Sequence, residues 1–485
     1  MEKSSFTSRD CVINPDYRGV CAVYHGFSYM PQSHAMGLRD RALEREFERV
    51  EAMRLKIART WFRPDFDRER LLCFIRWLEK MKELGVEVAL QGGWWFPLDV
   101  WYFAHERYND RTLTDSAENF ACYCDKFAAW IGKALEYFTL VRKCTNIRYL
   151  CLFSEPTTVP AGNLPQGITV REAYALCCAK VKERLAMYGL TDQVKLVGPN
   201  ALFADYQSEA LSLDAAAVAD TVDIYAGHAY AATKGNIRPF VMTGYDGWLS
   251  HAQYLKKQFG GDKPVWFDEY GLCGDGAESL RDKAWYGNFI AQAACAFANG
   301  GLQTSFLWLL FDCKHAHDVT NGDSFYHGVH RWGTAYMPGD TVSDSENVRP
   351  SWYVVSMLSR YLCGYTGGIV FQSEFDRSVC GCVTEPHPGQ TTALIVNRTG
   401  SPRTVCVDLT SRPESTFTVY CYDPQKIVPQ KEQYLLSGER LPAGNRFDIR
   451  LPPYGVAVCT DYDGDKPVTF PDPVIPEMIQ TQESE

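Results

Sequence analysis

The chain has 485 residues, enough for one large domain and one smaller one, and its 46% hydrophobic and 22% charged residues are ordinary for a soluble globular protein. A net charge of -10 argues against a nucleic-acid partner held by basic patches. Runs of 18 or more apolar residues are missing, which argues against a membrane-spanning helix.

From residue 20 onward, short apolar runs alternate with longer amphipathic ones. The first predicted strand is Val20–Tyr24, followed by a charged helix over Asp40–Met53. A second strand covers Lys56–Phe62 and carries Arg59; the helix Glu69–Leu84 follows and stops at Gly85. The third strand, Val86–Leu90, opens into Gly92-Gly93-Trp94-Trp95. A long helix over Asp115–Phe138 comes next, with Thr114 or Asp115 as its cap. The fourth strand, Tyr149–Phe153, ends in Ser154-Glu155-Pro156.

The alternation continues with a helix over Thr169–Tyr188, a fifth strand over Val194–Val197 and a helix over Ser208–Ala219. The sixth strand begins at Val222–Tyr225 and runs into Gly227-His228-Ala229-Tyr230, before a helix over Trp248–Phe259. The seventh is Val265-Trp266-Phe267-Asp268-Glu269-Tyr270-Gly271; a helix over Lys283–Ala298 leads to the eighth, Thr304–Phe311, which contains Trp308. A last helix covers Trp352–Leu362.

Eight strand–helix units in succession predict a (β/α)₈ barrel over residues 1–363. An open doubly wound sheet competes, but no glycine-rich phosphate turn follows the first strand. After Gly364 the helical period disappears. Runs such as Ile369–Phe371, Thr392–Val396, Val405–Val407, Phe417–Tyr420 and Val456–Val458 predict a small antiparallel β-sandwich domain over 364–465. The remaining 466–485, rich in Pro and acidic residues, read as a loosely held tail.

In a parallel barrel the C-terminal strand ends carry the chemistry. Two apolar strands here end in a glutamate, Glu155 and Glu269, and an ionised carboxylate at such a place is costly unless paired or used. The plainer alternative is that Asp268 and Glu269 begin a solvated loop. Arg59, His228, Tyr230 and Trp308 sit at the ends of other strands, so the barrel would gather all of these at one mouth. This ordered set resembles the retaining glycoside hydrolases of the large (β/α)₈ clan, such as families 5 and 39. The resemblance implies a β-glycosidase acting on a short oligosaccharide or glycoside, with Glu155 as general acid/base and Glu269 as nucleophile. It further implies that Tyr230 and Arg59 hold Glu269 ionised, that Trp308 floors a sugar ring and that His228 touches the site. Trp94 and Trp95 are sugar platforms or rim packing.

The sequence departs from that pattern at Ser154, where the clan usually has Asn, so Ser154 is expected to loosen selectivity at the sugar 2-hydroxyl. A barrel that binds carbohydrate with weak or no hydrolysis is therefore one alternative. A metal-dependent hydrolase using His315 and His317 is the other, since an H-x-H pair can hold a metal. The glycosidase reading needs no cofactor. Its partner is a carbohydrate, with neither nucleic acid nor membrane involved. Met1–Phe6 lacks the apolar core of an export signal, and the 18 cysteines are scattered over helices and strands. A cytoplasmic protein with reduced thiols is the expectation.

Overall fold

The computed structural model describes residues 3–7, 12–24, 44, 47–64, 66, 68–93, 116–154, 156, 164–202, 221–232, 244–257, 261, 263–273, 283–308, 310, 313–314, 325–326, 348–367, 377–430 and 433–464. Eight strands close into a barrel in chain order: β1 (Val20–Tyr24), β2 (Ile57–Trp61), β3 (Glu87–Gln91), β4 (Ile147–Cys151), β5 (Lys195–Leu202), β6 (Ile224–Ala232), β7 (Val265–Cys273) and β8 (Thr304–Leu307). The pairings β8–β1, β2–β3, β3–β4, β4–β5 and β5–β6 are parallel. Among the described residues, no helix is long and apolar enough to cross a membrane.

By compactness the chain falls into two units. The first takes in the described residues of 57–229 and 258–268. Its strands are largely apolar runs; Ile57–Trp61 is buried at every position. Helix α2 (Arg68–Glu83, after α1 at residues 47–53) buries Phe74, Ile75, Trp77, Leu78 and Met81, one stripe at helical spacing. It ends at Gly85, whose φ of 72° lets the Val86 N–H reach back to Met81 O at 2.8 Å. Helix α4 (Val170–Met187) ends the same way: Gly189 has φ 67° and Leu190 N–H bonds Leu185 O at 2.8 Å. At its start Thr169 and Glu172 form a reciprocal capping box. Hydrogen bonds from Thr169 hold the Glu172 carboxyl below the usual range. Helix α3 (Ala117–Glu136) is capped by Ser116, whose Oγ accepts from the Asn119 N–H at 3.2 Å. Serine there satisfies an otherwise orphaned donor; Thr114 and Asp115, the expected caps, lie outside the described residues. The predicted helix Ser208–Ala219 and strand Ile369–Phe371 also lie outside them. The Cys124 and Cys177 sulfurs of α3 and α4 are 3.1 Å apart.

The second unit takes in the described residues of 1–56, 230–257 and 269–464. It includes α5 (Tyr245–Leu255), α6 (Trp285–Asn299), α7 (Pro350–Tyr361) and an antiparallel β sandwich. The sandwich strands are β9 (Val379–Thr384), β10 (Thr392–Asn397), β11 (Arg403–Asp408), β12 (Thr418–Tyr422), β13 (Gly438–Arg440), β14 (Arg446–Leu451) and β15 (Val456–Thr460). One sheet has the order β9-β10-β15-β12-β13. The other places β11 between β14 and the N-terminal strand Lys3–Thr7, which pairs with it in parallel. Val379, Ala393, Ile395, Val405, Val407 and Leu451 meet in the core between the sheets.

Helix α6 joins the seventh strand to the eighth, and nearly every residue of it is buried. Small residues permit this: a Cβ on Gly287 would stand 2.8 Å from Val354 Cγ2 of α7. Asn288 Nδ2 donates to Asn397 O at 2.9 Å and to Tyr454 O at 2.8 Å, while Asn299 Nδ2 donates to Gly381 O at 2.8 Å. The helix following the Glu269 strand is thus bonded directly to the β sandwich.

His251 of α5 is 7% exposed, and burial holds its imidazole down to about 4. An unfolded chain takes up this proton near pH 6.5, whereas the folded chain resists until about pH 4. The unfolded state therefore binds more protons in that window, and folding stability falls as pH drops through it. The loss is about 3 kcal/mol across the window. Thermal unfolding of wild type and His251→Gln from pH 7.5 to 4 checks this: the difference in Tm should change in the variant's favour as pH falls. A constant difference would contradict the assignment.

Candidate active site

Barrel strands present alternate residues to the interior. Six successive strands each bring one polar side chain into it: Arg59 from β2, Gln91 from β3, Cys151 from β4, Asn200 from β5, His228 from β6 and Asp268 from β7. All six are 0% exposed. Buried polar groups need partners, and these supply one another. Arg59 Nη1 donates to the Asp268 backbone oxygen at 2.7 Å and lies 3.6 Å from Asp268 Oδ2. Its Nε donates to Gln91 Oε1 at 3.2 Å, and the guanidinium stacks 5.0 Å from the Trp61 ring centre. Gln91 Nε2 donates in turn to Gly93 O at 2.8 Å, at the start of the segment leading to Trp94.

Asn200 Nδ2 donates to Asp268 Oδ2, and His228 Nε2 lies 3.4 Å from Asp268 Oδ1. Burial pushes the Asp268 carboxyl up, but the charges of His228 and Arg59, with hydrogen bonds from His228 and Asn200, outweigh it and hold the carboxyl below its usual range. Burial pushes the Cys151 thiol up to about 12, against the nearby Arg59 charge. This sulfur is a thiol at neutral pH, not a nucleophile.

Glu269 is 4% exposed, and Tyr230 Oη donates to its Oε2 at 2.8 Å. Trp308 follows the last residue of β8 and is 9% exposed; its backbone N–H donates to Tyr270 O at 2.9 Å. Gly271 lies tight against this corner: a Cβ there would stand 3.2 Å from Trp308 O and 3.8 Å from the Tyr230 ring. Ser154 is 8% exposed, three residues past β4. Glu155, Trp94, Trp95, His315 and His317 lie outside the described residues.

The Arg59 guanidinium is bonded to the Asp268 backbone oxygen and to Gln91. Asp268, Asn200 and Gln91 were not singled out from the sequence as site residues. A signal existed: each is a polar residue close to the end of a predicted apolar strand, as Arg59 and Glu155 are.

No protein-family model matches the chain, and no curated protein matches its sequence. Solved structures do match in fold. A family 30 endoxylanase from Clostridium papyrosolvens C71 superposes with a TM-score of 0.60 at 12% identity, over 95% of this chain and 100% of that one. A glucosidase from Croceicoccus marinus gives 0.60 at 10% identity, over 95% and 99%. A family 39 β-xylosidase from Caulobacter crescentus gives 0.57 at 11% identity, over 95% and 99%. At these identities the likeness establishes the shared fold.

Proposed function

We propose that the chain is a retaining β-glycosidase acting on a short oligosaccharide or glycoside, with Glu269 as nucleophile and Glu155 as general acid/base. One observation carries the reading: Tyr230 Oη donates to Glu269 Oε2 at 2.8 Å, on a barrel-strand carboxylate only 4% exposed. A hydrogen bond to the charged form favours ionisation, and attack on an anomeric carbon needs an ionised carboxylate.

In the first step a Glu269 oxygen bonds to the anomeric carbon as the glycosidic C–O bond breaks, and Glu155 gives its proton to the departing oxygen. In the second, Glu155 takes a proton from water; the water oxygen bonds to the same carbon and the ester to Glu269 breaks. Two inversions leave the configuration retained. Trp308 would support a sugar ring from the eighth strand, as would Trp94 and Trp95 beyond the third. A proline at 156 disfavours the helical region for the residue before it, which would favour an extended Glu155. A carboxyl pair about 5–5.5 Å apart is the separation this chemistry requires.

The similar structures are those of an endoxylanase, a glucosidase and a β-xylosidase. Aryl β-xylosides and β-glucosides therefore head the panel of aryl glycosides that tests the reading. Release of the aryl alcohol from at least one member is expected. A purified, folded protein inert toward the whole panel would contradict it.

A further inference from the structure

We propose that Cys124 and Cys177 form a modification site. A low-molecular-weight disulfide such as oxidised glutathione converts the pair into a reversible disulfide that staples helix α3 to helix α4, whatever reaction the barrel performs.

The pattern of the two helices, both within the first compact unit, places the sulfurs together. Cys124 belongs to the buried α3 stripe Phe120, Cys124, Phe127 and Ile131, and Cys177 to the buried α4 stripe Ala173, Cys177 and Val181. Steps of three and four keep each set on one helix face. Two turns beyond the cysteines the helices are still in contact: a Cβ on Gly132 would stand 3.0 Å from Arg184 Cβ and 3.0 Å from Tyr188 Cε2. Arg184 Nη2 donates to both carboxylate oxygens of Asp125 at 3.0 Å, which ties the helices at a second point.

The two sulfurs are 3.1 Å apart, and either thiol can donate to the other. A disulfide needs about 2.05 Å, so closure asks for about 1 Å of movement between side chains already aimed at each other. Cys178, next in the chain, points elsewhere: its sulfur is hydrogen-bonded to Thr221 and Tyr174.

Oxidation takes two exchanges. One thiolate of the pair attacks a sulfur of oxidised glutathione, forming a mixed disulfide and releasing a glutathione thiolate. The second thiolate attacks the protein sulfur of that mixed disulfide, forms the Cys124–Cys177 bond and releases the other glutathione thiolate. The protons lost by the two cysteines are taken up by the two glutathione thiolates; two electrons pass from the protein to the oxidant. Both cysteines are 0% exposed, so glutathione reaches them only when the helices part. Burial also pushes the Cys177 thiol well above its ordinary value, and the thiolate is the reacting form. The bond therefore forms slowly, faster at higher pH, and once closed it is shielded from reductants.

The consequence is a constraint on the fourth βα unit. The bond joins residues 53 apart in sequence and closes a loop that holds β4 and Glu155. Cross-linking restricts the unfolded chain more than the folded one.

The test incubates the full-length protein with oxidised glutathione at about pH 8.5, where more thiolate is present. Incubation continues until the exposed Cys122 carries a mixed disulfide, which shows that the oxidant has reacted. Peptide mapping without reductant should then show the Cys124 and Cys177 peptides linked, and dithiothreitol should separate them. The Tm should rise by about 2–6 °C over that of Cys177→Ala given the same treatment. Cys124→Ala serves as the control if Cys177→Ala does not fold. Absence of the link, or Cys124 bonded to a different cysteine, overturns the proposal. A link that leaves Tm unchanged or lowers it overturns the stapling role.

Discussion

Glu269→Gln is expected to lower kcat/KM by about 10⁴- to 10⁶-fold while leaving the protein folded. An amide keeps the side chain's shape and can still accept a hydrogen bond from Tyr230 Oη, the partner seen at 2.8 Å. It cannot form the ester to the anomeric carbon, and loss of a covalent nucleophile costs factors of this size in other hydrolases. Because Gln is neutral and similar in volume, the melting temperature should stay close to that of wild type. Substrate affinity should survive, so the variant should still bind the best glycoside of the panel in calorimetry. Activity within tenfold of wild type would place the nucleophile elsewhere, with Asp268 the next carboxylate to test.

The second large effect depends on the leaving group. Glu155→Gln removes the proton donor. The loss in kcat/KM should reach about 10²- to 10⁴-fold on alkyl glycosides, whose departing oxygen needs protonation. Dinitrophenyl glycosides leave as stable anions, and their kcat/KM should fall by less than about tenfold. The ratio kcat/KM is the quantity to compare because it reports the first, glycosylating step, whereas kcat on activated substrates also includes the water attack that Glu155 assists. Equal losses on both substrate classes would show that Glu155 is not the acid.

Much of the barrel was legible because parallel strands are covered on both faces and leave near-continuous apolar runs. Val20–Tyr24 and Val265–Gly271 stand out in this way, and Gly85 and Gly189 mark the ends of two helices by a conformation glycine adopts freely. The strand Lys3–Thr7, of sequence KSSFT, was not legible. It is short and polar, and its place beside Arg403–Asp408 is fixed by pairing across some 400 residues rather than by local pattern. In the β domain, Gly438–Arg440 is exposed throughout and carries no apolar signal. Val379–Thr384 is buried at every position, so it lacks the alternation that identifies a half-buried strand.

The candidate site divides in the same manner. Carboxylates closing apolar strands drew attention to Glu155 and Glu269. The Asn200 bond to Asp268 was hidden, because a register shift between Pro199 and Ala201 changes where a side chain points without changing the residues that form it.

The proposed mechanism has two glutamates acting by double displacement. Proton NMR of the first product, recorded during early turnover of an aryl β-glycoside before the sugar mutarotates, tests this most directly. With retention, the β-anomer appears first and the α-anomer grows in afterwards. An α-anomer as the first product would mean single displacement, with carboxyls about 6.5–9.5 Å apart around an attacking water, and would contradict the assignment of Glu269 as nucleophile.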